Sequence, residues 1–194
     1  MQRHAPALLP LVLAATFAAA GAAVSCETPP SARTAAAERV ARGKYLVTFG
    51  SCHDCHTPFA PGPNGPAPDM SRALSGHPGD LVMPPPPALT AAWAWAGGAT
   101  NTAFAGPWGV SFSANLTPDT ETGLGKWTEE MFIRALKTGR HEGKGRPILP
   151  PMPYPFVGSL TEADLGAVFA YLQSLPPVRN RVPSPIDPPE ESGR

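Results

Sequence analysis

The stretch FGSCHDCHTP carries two cysteines, Cys52 and Cys55, separated by two residues, with His56 directly behind them. No other feature restricts the folding of this chain as much, because each chemistry open to such a triplet demands its own surroundings. A structural zinc site needs four ligands, commonly as two spaced pairs. Here the second pair is missing, and His53, His77 and His141 stand singly across a proline-rich region. A redox dithiol places its first cysteine at the start of a helix that follows a strand, where the dipole lowers the thiol pKa. This pair follows a helical pattern instead. The third chemistry uses all three residues: two thioether bonds fix a porphyrin edge to the chain, and the next residue turns its imidazole to the iron. The triplet occurs once, so this reading expects one covalent haem.

Composition fits a chain organised around a cofactor. Among 194 residues there are 27 prolines and 19 glycines, which argues against regular elements from end to end. Long irregular connections around a few helices bury little apolar surface per residue, and a large central group would add to the core. A net charge of +0 with 15% charged residues excludes a bare electrostatic nucleic-acid binder.

The first 25 residues read as an export signal. Arg3 and His4 precede the uncharged run APALLPLVLAATFAAAGAAV, and polar, proline-bearing sequence follows at once. A single membrane span is the alternative, since the run has about the necessary length. Ala23, Val24, Ser25 and Cys26 are similar to the bacterial lipoprotein box, in which the cysteine receives lipid. The alternative is an ordinary signal peptide cut nearby, leaving Cys26 as a free thiol. In an oxidising compartment an odd cysteine needs an explanation. A lipid on Cys26 and thioethers at Cys52 and Cys55 account for all three. This gives residues 1–25 as a lipoprotein-type signal and 26–36 as a linker.

Three helices are expected. In the first, Thr34 is the candidate N-cap, Ala36, Val40, Gly43 and Val47 form a narrow stripe, and Gly50 closes it. Gly43 is costly inside a helix, and it marks either a close helix crossing or simple tolerance. The second starts at Thr128 with Glu129 and Glu130 in its first turn and stops at Gly139. The third has Thr161 and Asp164 in a capping-box arrangement and a stripe of Leu165, Val168, Phe169 and Leu172. No strand pattern of comparable strength appears.

With His56 on one side of an iron, the other side is open, filled by a side chain, or filled by an exchangeable small ligand. Met152 lies in RPILPPMPYPF, just before the last helix, where Pro150, Pro151 and Pro153 restrict the backbone. A thioether there is a suitable soft ligand, or it fills a gap in the core. Met83, within LVMPPPP, has a similar proline setting but no following helix to position it. His53 sits inside the binding loop, and Met131 beside Phe132 suits a core position. Arg140 and Arg146 flank the Met152 loop and suit either haem propionates or solvent.

The helix with Gly43, then CHDCH, a proline-flanked methionine and LGAVFAYLQSLPPV together resemble the class I c-type cytochromes. More narrowly, NLTPDTETGLGKWTEEMFIRALKTGRH and PPMPYP resemble haem domains of the cytochrome subunits of bacterial membrane-bound alcohol and aldehyde dehydrogenases. Those subunits carry several such domains; this chain carries one triplet. The resemblance implies a mainly α domain over residues 37–178, a class I cytochrome c fold of three to four helices around one haem c, with the first and last helices crossing. It implies covalent attachment at Cys52 and Cys55 and axial ligands at His56 and Met152.

Residues 60–115 form a long Pro/Gly-rich insertion whose Trp93, Trp95, Phe104, Trp108 and Phe112 cover a haem edge, dock a partner or pack a core. Residues 179–194 are a Pro-rich tail. The function expected is transfer of one electron at a time between redox partners, a dehydrogenase, an oxidase or another cytochrome, on the periplasmic side of a bacterial membrane, with a lipid anchor at Cys26. No reaction of its own is expected, since neither a nucleophile with a base nor paired carboxylates stand out. The alternative is a haem enzyme or a gas or peroxide sensor with an exchangeable sixth ligand.

Overall fold

A computed structural model describes residues 31–90 and 92–189. The expected signal over 1–25 and Cys26 lie outside the described residues. The described residues form five α-helices and two small antiparallel sheets. Helix α1 spans Ala32–Phe49, α2 Cys52–His56, α3 Glu129–Thr138, α4 Tyr154–Val157 and α5 Glu162–Gln173.

Helix α1 starts earlier than its stripe suggested. Ser31, not Thr34, caps it: the Ser31 hydroxyl accepts from the Thr34 N–H at 3.3 Å and pairs with the Thr34 hydroxyl at 2.9 Å. Two hydroxyl residues three apart leave the cap ambiguous in sequence, and the residue whose backbone is still extended takes the role. Of the stripe, Gly43 and Val47 are buried, Val40 is half-buried and Ala36 is exposed. Burial is therefore confined to the second half of the helix, where α5 crosses.

That crossing is possible because residue 43 has no side chain. A Cβ on Gly43 would lie 1.9 Å from the Ala167 carbonyl oxygen and 2.8 Å from the Tyr171 Cβ. The glycine marks a close crossing rather than tolerance. Arg42 and Asp164 clasp the crossing at 2.8 Å, and Arg39 pairs with Glu129 of α3. Around it lies the core of Val47, Leu74, Leu124, Phe132, Leu136, Leu165, Val168, Phe169 and Leu172. All four residues of the expected α5 stripe are in it.

The capping of α5 is half of the expected box. Thr161 accepts from the Asp164 N–H at 3.1 Å, but the Asp164 carboxylate turns to Arg42 instead of reaching back. Aspartate is one methylene shorter than the usual glutamate, and the guanidinium is at hand. Thr161→Ala is expected to lower stability by about 1 kcal/mol. In a domain of this size that is a melting shift of roughly 2–4 °C, measurable by thermal circular dichroism. Helix α3 matches its expected ends: Thr128 accepts from the Met131 N–H, and Gly139 closes it in the left-handed conformation at φ 66°.

The insertion does contain strands. Strands β1 (Phe59–Ala60) and β2 (Ala67–Pro68) pair, and β3 (Ala96–Gly97), β4 (Ala103–Gly106) and β5 (Gly109–Phe112) form an antiparallel sheet in that order. None exceeds four residues, and glycine and alanine fill much of them, so no alternation could show in the sequence. Its aromatic residues divide. Phe104 is buried with Trp95 edge-on at 5.6 Å, whereas Trp93 is exposed. Residues 179–189, expected as a tail, run back onto this segment: Ile186 exchanges both backbone hydrogen bonds with Val110, at 2.8 and 2.9 Å.

Candidate haem site

Gly50 ends α1 by donating to the Leu46 carbonyl, Ser51 adopts the left-handed conformation at φ 52°, and the chain turns directly into α2. One short helix therefore carries Cys52, Cys55 and His56. Cys52 packs against the core. Burial pushes its thiol up to about 11 and raises that of Cys55 too. A redox dithiol needs the opposite shift. Among the described residues no group of three or more His, Cys, Asp or Glu side chains could hold a metal ion.

His56 is buried, 9% exposed. Its Nδ1 lies 2.8 Å from the Ala114 carbonyl oxygen. A carbonyl only accepts, so Nδ1 carries the proton and Nε2 keeps its lone pair. Burial holds the ring pKa below the ordinary value, with the Ala114 carbonyl opposing and neighbouring His53 assisting. The result is a neutral imidazole of fixed tautomer. On the same turn His53 Nδ1 pairs with the Thr57 hydroxyl at 2.9 Å, and that hydroxyl accepts from the Leu74 N–H.

Met152 is half-buried and packs against the same core as Cys52, with Leu116, Trp127 and Tyr154. Its loop is tied down at two points. The Ile148 N–H donates to the Gly139 carbonyl at the end of α3, and the Ser111 hydroxyl of β5 donates to the Pro150 carbonyl at 2.6 Å. Met83 lies elsewhere, its methyl against Gly98 beside the three-stranded sheet. Met70 is largely exposed.

His77 is fully buried with Nδ1 on the Thr102 hydroxyl at 2.9 Å and Nε2 3.4 Å from the Leu81 carbonyl, so neither nitrogen is available. His141 stacks edge-on to Trp127 at 5.0 Å. Arg140 and Arg146 are exposed and donate to the carbonyls of Gly145 and Pro147 in their own loop.

The cytochrome c family model matches residues 40–176. The chain belongs to the cytochrome c family. As a cytochrome c it is similar to a subunit of the nicotinate dehydrogenase of Pseudomonas putida, 30% identical over 157 residues, 81% of this chain and 10% of that protein. It is also 30% identical over 147 residues to the cytochrome c subunit of the quinone alcohol dehydrogenase of Gluconobacter oxydans, covering 74% of this chain and 23% of that one. With the fructose dehydrogenase cytochrome subunit of Gluconobacter japonicus the identity is 28%, over 76% and 23% of the two chains. This cytochrome thus spans between a tenth and about a quarter of the length of these relatives.

Family membership implies a covalently bound haem c and electron transfer. The donor set suits that group: two thiols on one turn, a neutral imidazole with a free Nε2, and a thioether in the same core. No helix of the described residues is long and apolar enough to cross a membrane.

Ser111 and Ala114 carry parts of the site that the sequence reading missed. Ala114 acts through its backbone carbonyl, which leaves no residue-type signature, and Ser111 is one of many serines.

His77 is expected to contribute, with the other histidines held low by burial, to an acid limit on this cytochrome. Burial lowers its pKa, aided by Arg72 and opposed by the Leu81 carbonyl and Asp80. A histidine depressed in the folded state binds its proton first when unfolded. Its stabilising contribution is therefore full above about pH 6.5 and declines as the pH falls toward the folded pKa. Melting temperatures between pH 8 and pH 5 are expected to decline on the acid side, with a shallower decline in His77→Gln. Equal slopes in both proteins would refute this role.

Proposed function

We propose that this chain is a single-haem electron carrier, its haem c attached at Cys52 and Cys55 and its iron held by His56 and Met152. The observation that carries the reading is the buried His56 ring with Nδ1 on the Ala114 carbonyl, which leaves Nε2 as the free donor. When bound, the haem supplies a one-electron couple between ferrous and ferric iron. The chain's residues supply the rest. His56 enters as a neutral donor, so no proton has to leave it on ligation. Met152, on a loop restrained by Ser111 and Gly139, offers a thioether that favours the ferrous state. The core of Leu74, Leu124, Phe132 and Leu165, against which Cys52 and Met152 pack, would shield that side of the site from water.

The partners are redox proteins: a dehydrogenase as donor, supported by the names of the relatives, and an oxidase or another cytochrome as acceptor. The chain works on the periplasmic side of a bacterial membrane, exported by residues 1–25 and held by lipid on Cys26. Its role is that of a carrier, with no substrate transformed on it.

Intact mass and a pyridine haemochrome assay, on protein matured in a host with haem-attachment machinery, test the attachment. One haem per chain is expected. Replacing both Cys52 and Cys55 with alanine should abolish covalent haem, and retention of it in that variant would reject the assignment. A membrane fraction that keeps Cys26→Ser protein, with no labelled fatty acid on the wild type, would reject the anchor.

A further inference from the structure

We propose that Asn180, beyond the last helix, is a positioning residue for His56. This rests on the reading of His56 as an iron ligand. Asn180 is 8% exposed, although it lies in the proline-rich stretch beyond α5.

Its side chain makes three of the four hydrogen bonds open to it. Nδ2 donates to the Ser75 carbonyl at 2.7 Å and the His77 carbonyl at 2.8 Å, and Oδ1 accepts from the Gly79 N–H at 2.9 Å. Its backbone N–H donates to the Thr122 hydroxyl at 3.0 Å, and that hydroxyl also accepts from Asn115 Nδ2 at 3.2 Å. One residue thus joins the loop at 75–79 to the loop at 115–122.

Both loops end on His56. Gly76 donates its N–H to the His56 carbonyl at 2.8 Å, and the residue before Asn115 supplies the carbonyl that accepts from the His56 ring. The loops also touch each other there. The His77 N–H donates to the Ser113 carbonyl, the Leu116 N–H donates to the Leu74 carbonyl, and a Cβ on Gly76, which has φ 79°, would come within 2.7 Å of the Ala114 oxygen. The contacts close a ring from the His56 ring through Ala114, Asn115 and Thr122 to Asn180, then through Ser75, Gly76 and His77 to the His56 backbone. Asn180 is the one residue of that ring contributed by the segment beyond α5. A buried asparagine that merely closed a surface would need no bond to the segment bearing the Ala114 carbonyl.

Loss of the Asn180 amide frees two buried carbonyls and one N–H, and the 75–79 loop has to shift to satisfy them. The Ala114 carbonyl then moves from the His56 Nδ1–H. A weaker bond there makes the imidazole a poorer donor, which disfavours ferric iron.

In the holoprotein, Asn180→Ala is expected to shift the reduction potential upward relative to wild type. With Met152→Ala as the background, the iron–histidine stretch in the resonance Raman spectrum of the ferrous form should move to lower frequency. Asn180→Ser keeps one donor, and it should shift both quantities less in the same direction. It keeps the test available if Asn180→Ala does not mature with haem. Thr161→Ala, distant in chain and function, is the control for lost stability alone. A potential and a stretching frequency in both Asn180 variants equal to those of the control would overturn the inference. An unchanged iron–histidine mode in a His56→Ala, Met152→Ala double variant would instead overturn the His56 reading, and this inference with it.

Discussion

Met152→Ala is expected to open the iron to water in the ferric form and to rapid carbon monoxide binding in the ferrous form. The potential should fall by about 0.1–0.3 V, within the roughly 0.8 V that axial ligation spans in haem proteins. The direction follows from the ligand: a thioether is soft and favours the ferrous state, so its loss favours the ferric one. The loop itself should survive, because it is tied at Ile148 to Gly139 and at Pro150 to Ser111 and neither bond involves the methionine side chain. Met83→Ala supplies the contrast. Its methyl rests on Gly98 in the insertion, and its removal should leave the ligand field unchanged. The readout is the sulfur-to-iron charge-transfer band, present in wild type and Met83→Ala and lost in Met152→Ala. Stoichiometric carbon monoxide binding to reduced wild-type protein would favour the sensor or enzyme alternative.

Gly43→Ala should destabilise the fold by about 1–3 kcal/mol even though alanine is the better helix former. Two effects oppose each other. Removing glycine from a helix interior gains roughly 1 kcal/mol. Against this, the new methyl would lie 1.9 Å from the Ala167 carbonyl oxygen, far inside any tolerated contact, and the atom it meets is backbone, which cannot rotate away. Helices α1 and α5 must move apart, and the separation loosens Val47 against Leu165 and Leu172 in the core. Overpacking of this kind typically costs about 1–3 kcal/mol before packing losses along the crossing are added, so the steric effect wins. Gly43→Val should be worse, since branching at Cβ widens the clash and adds helix strain. Urea denaturation of the holoprotein measures both, and a Gly43→Ala protein as stable as wild type would show that the crossing relaxes freely.

The triplet carried on α2, the caps of α3 and α5 and the buried stripe of α5 were legible in the sequence. These are local patterns: a triplet with fixed spacing, a hydroxyl before an acidic turn, apolar residues at helical intervals. It also raised the question that Gly43 answers, because a glycine in a helix interior is costly unless something approaches closely. Tertiary structure alone decided what approaches it, the carbonyl of Ala167, far along the chain. It placed the N-cap of α1 at Ser31 rather than at the expected Thr34. It revealed strands in the 60–115 insertion too short to leave an alternation, and it turned the expected tail into a partner of Val110 and of the Ser75–Gly79 loop. It supplied the Ala114 carbonyl that fixes the His56 tautomer. Backbone groups and long-range pairings carry these last features. Every residue other than proline owns the same carbonyl and N–H, so residue type cannot encode which of them will meet until the chain has folded.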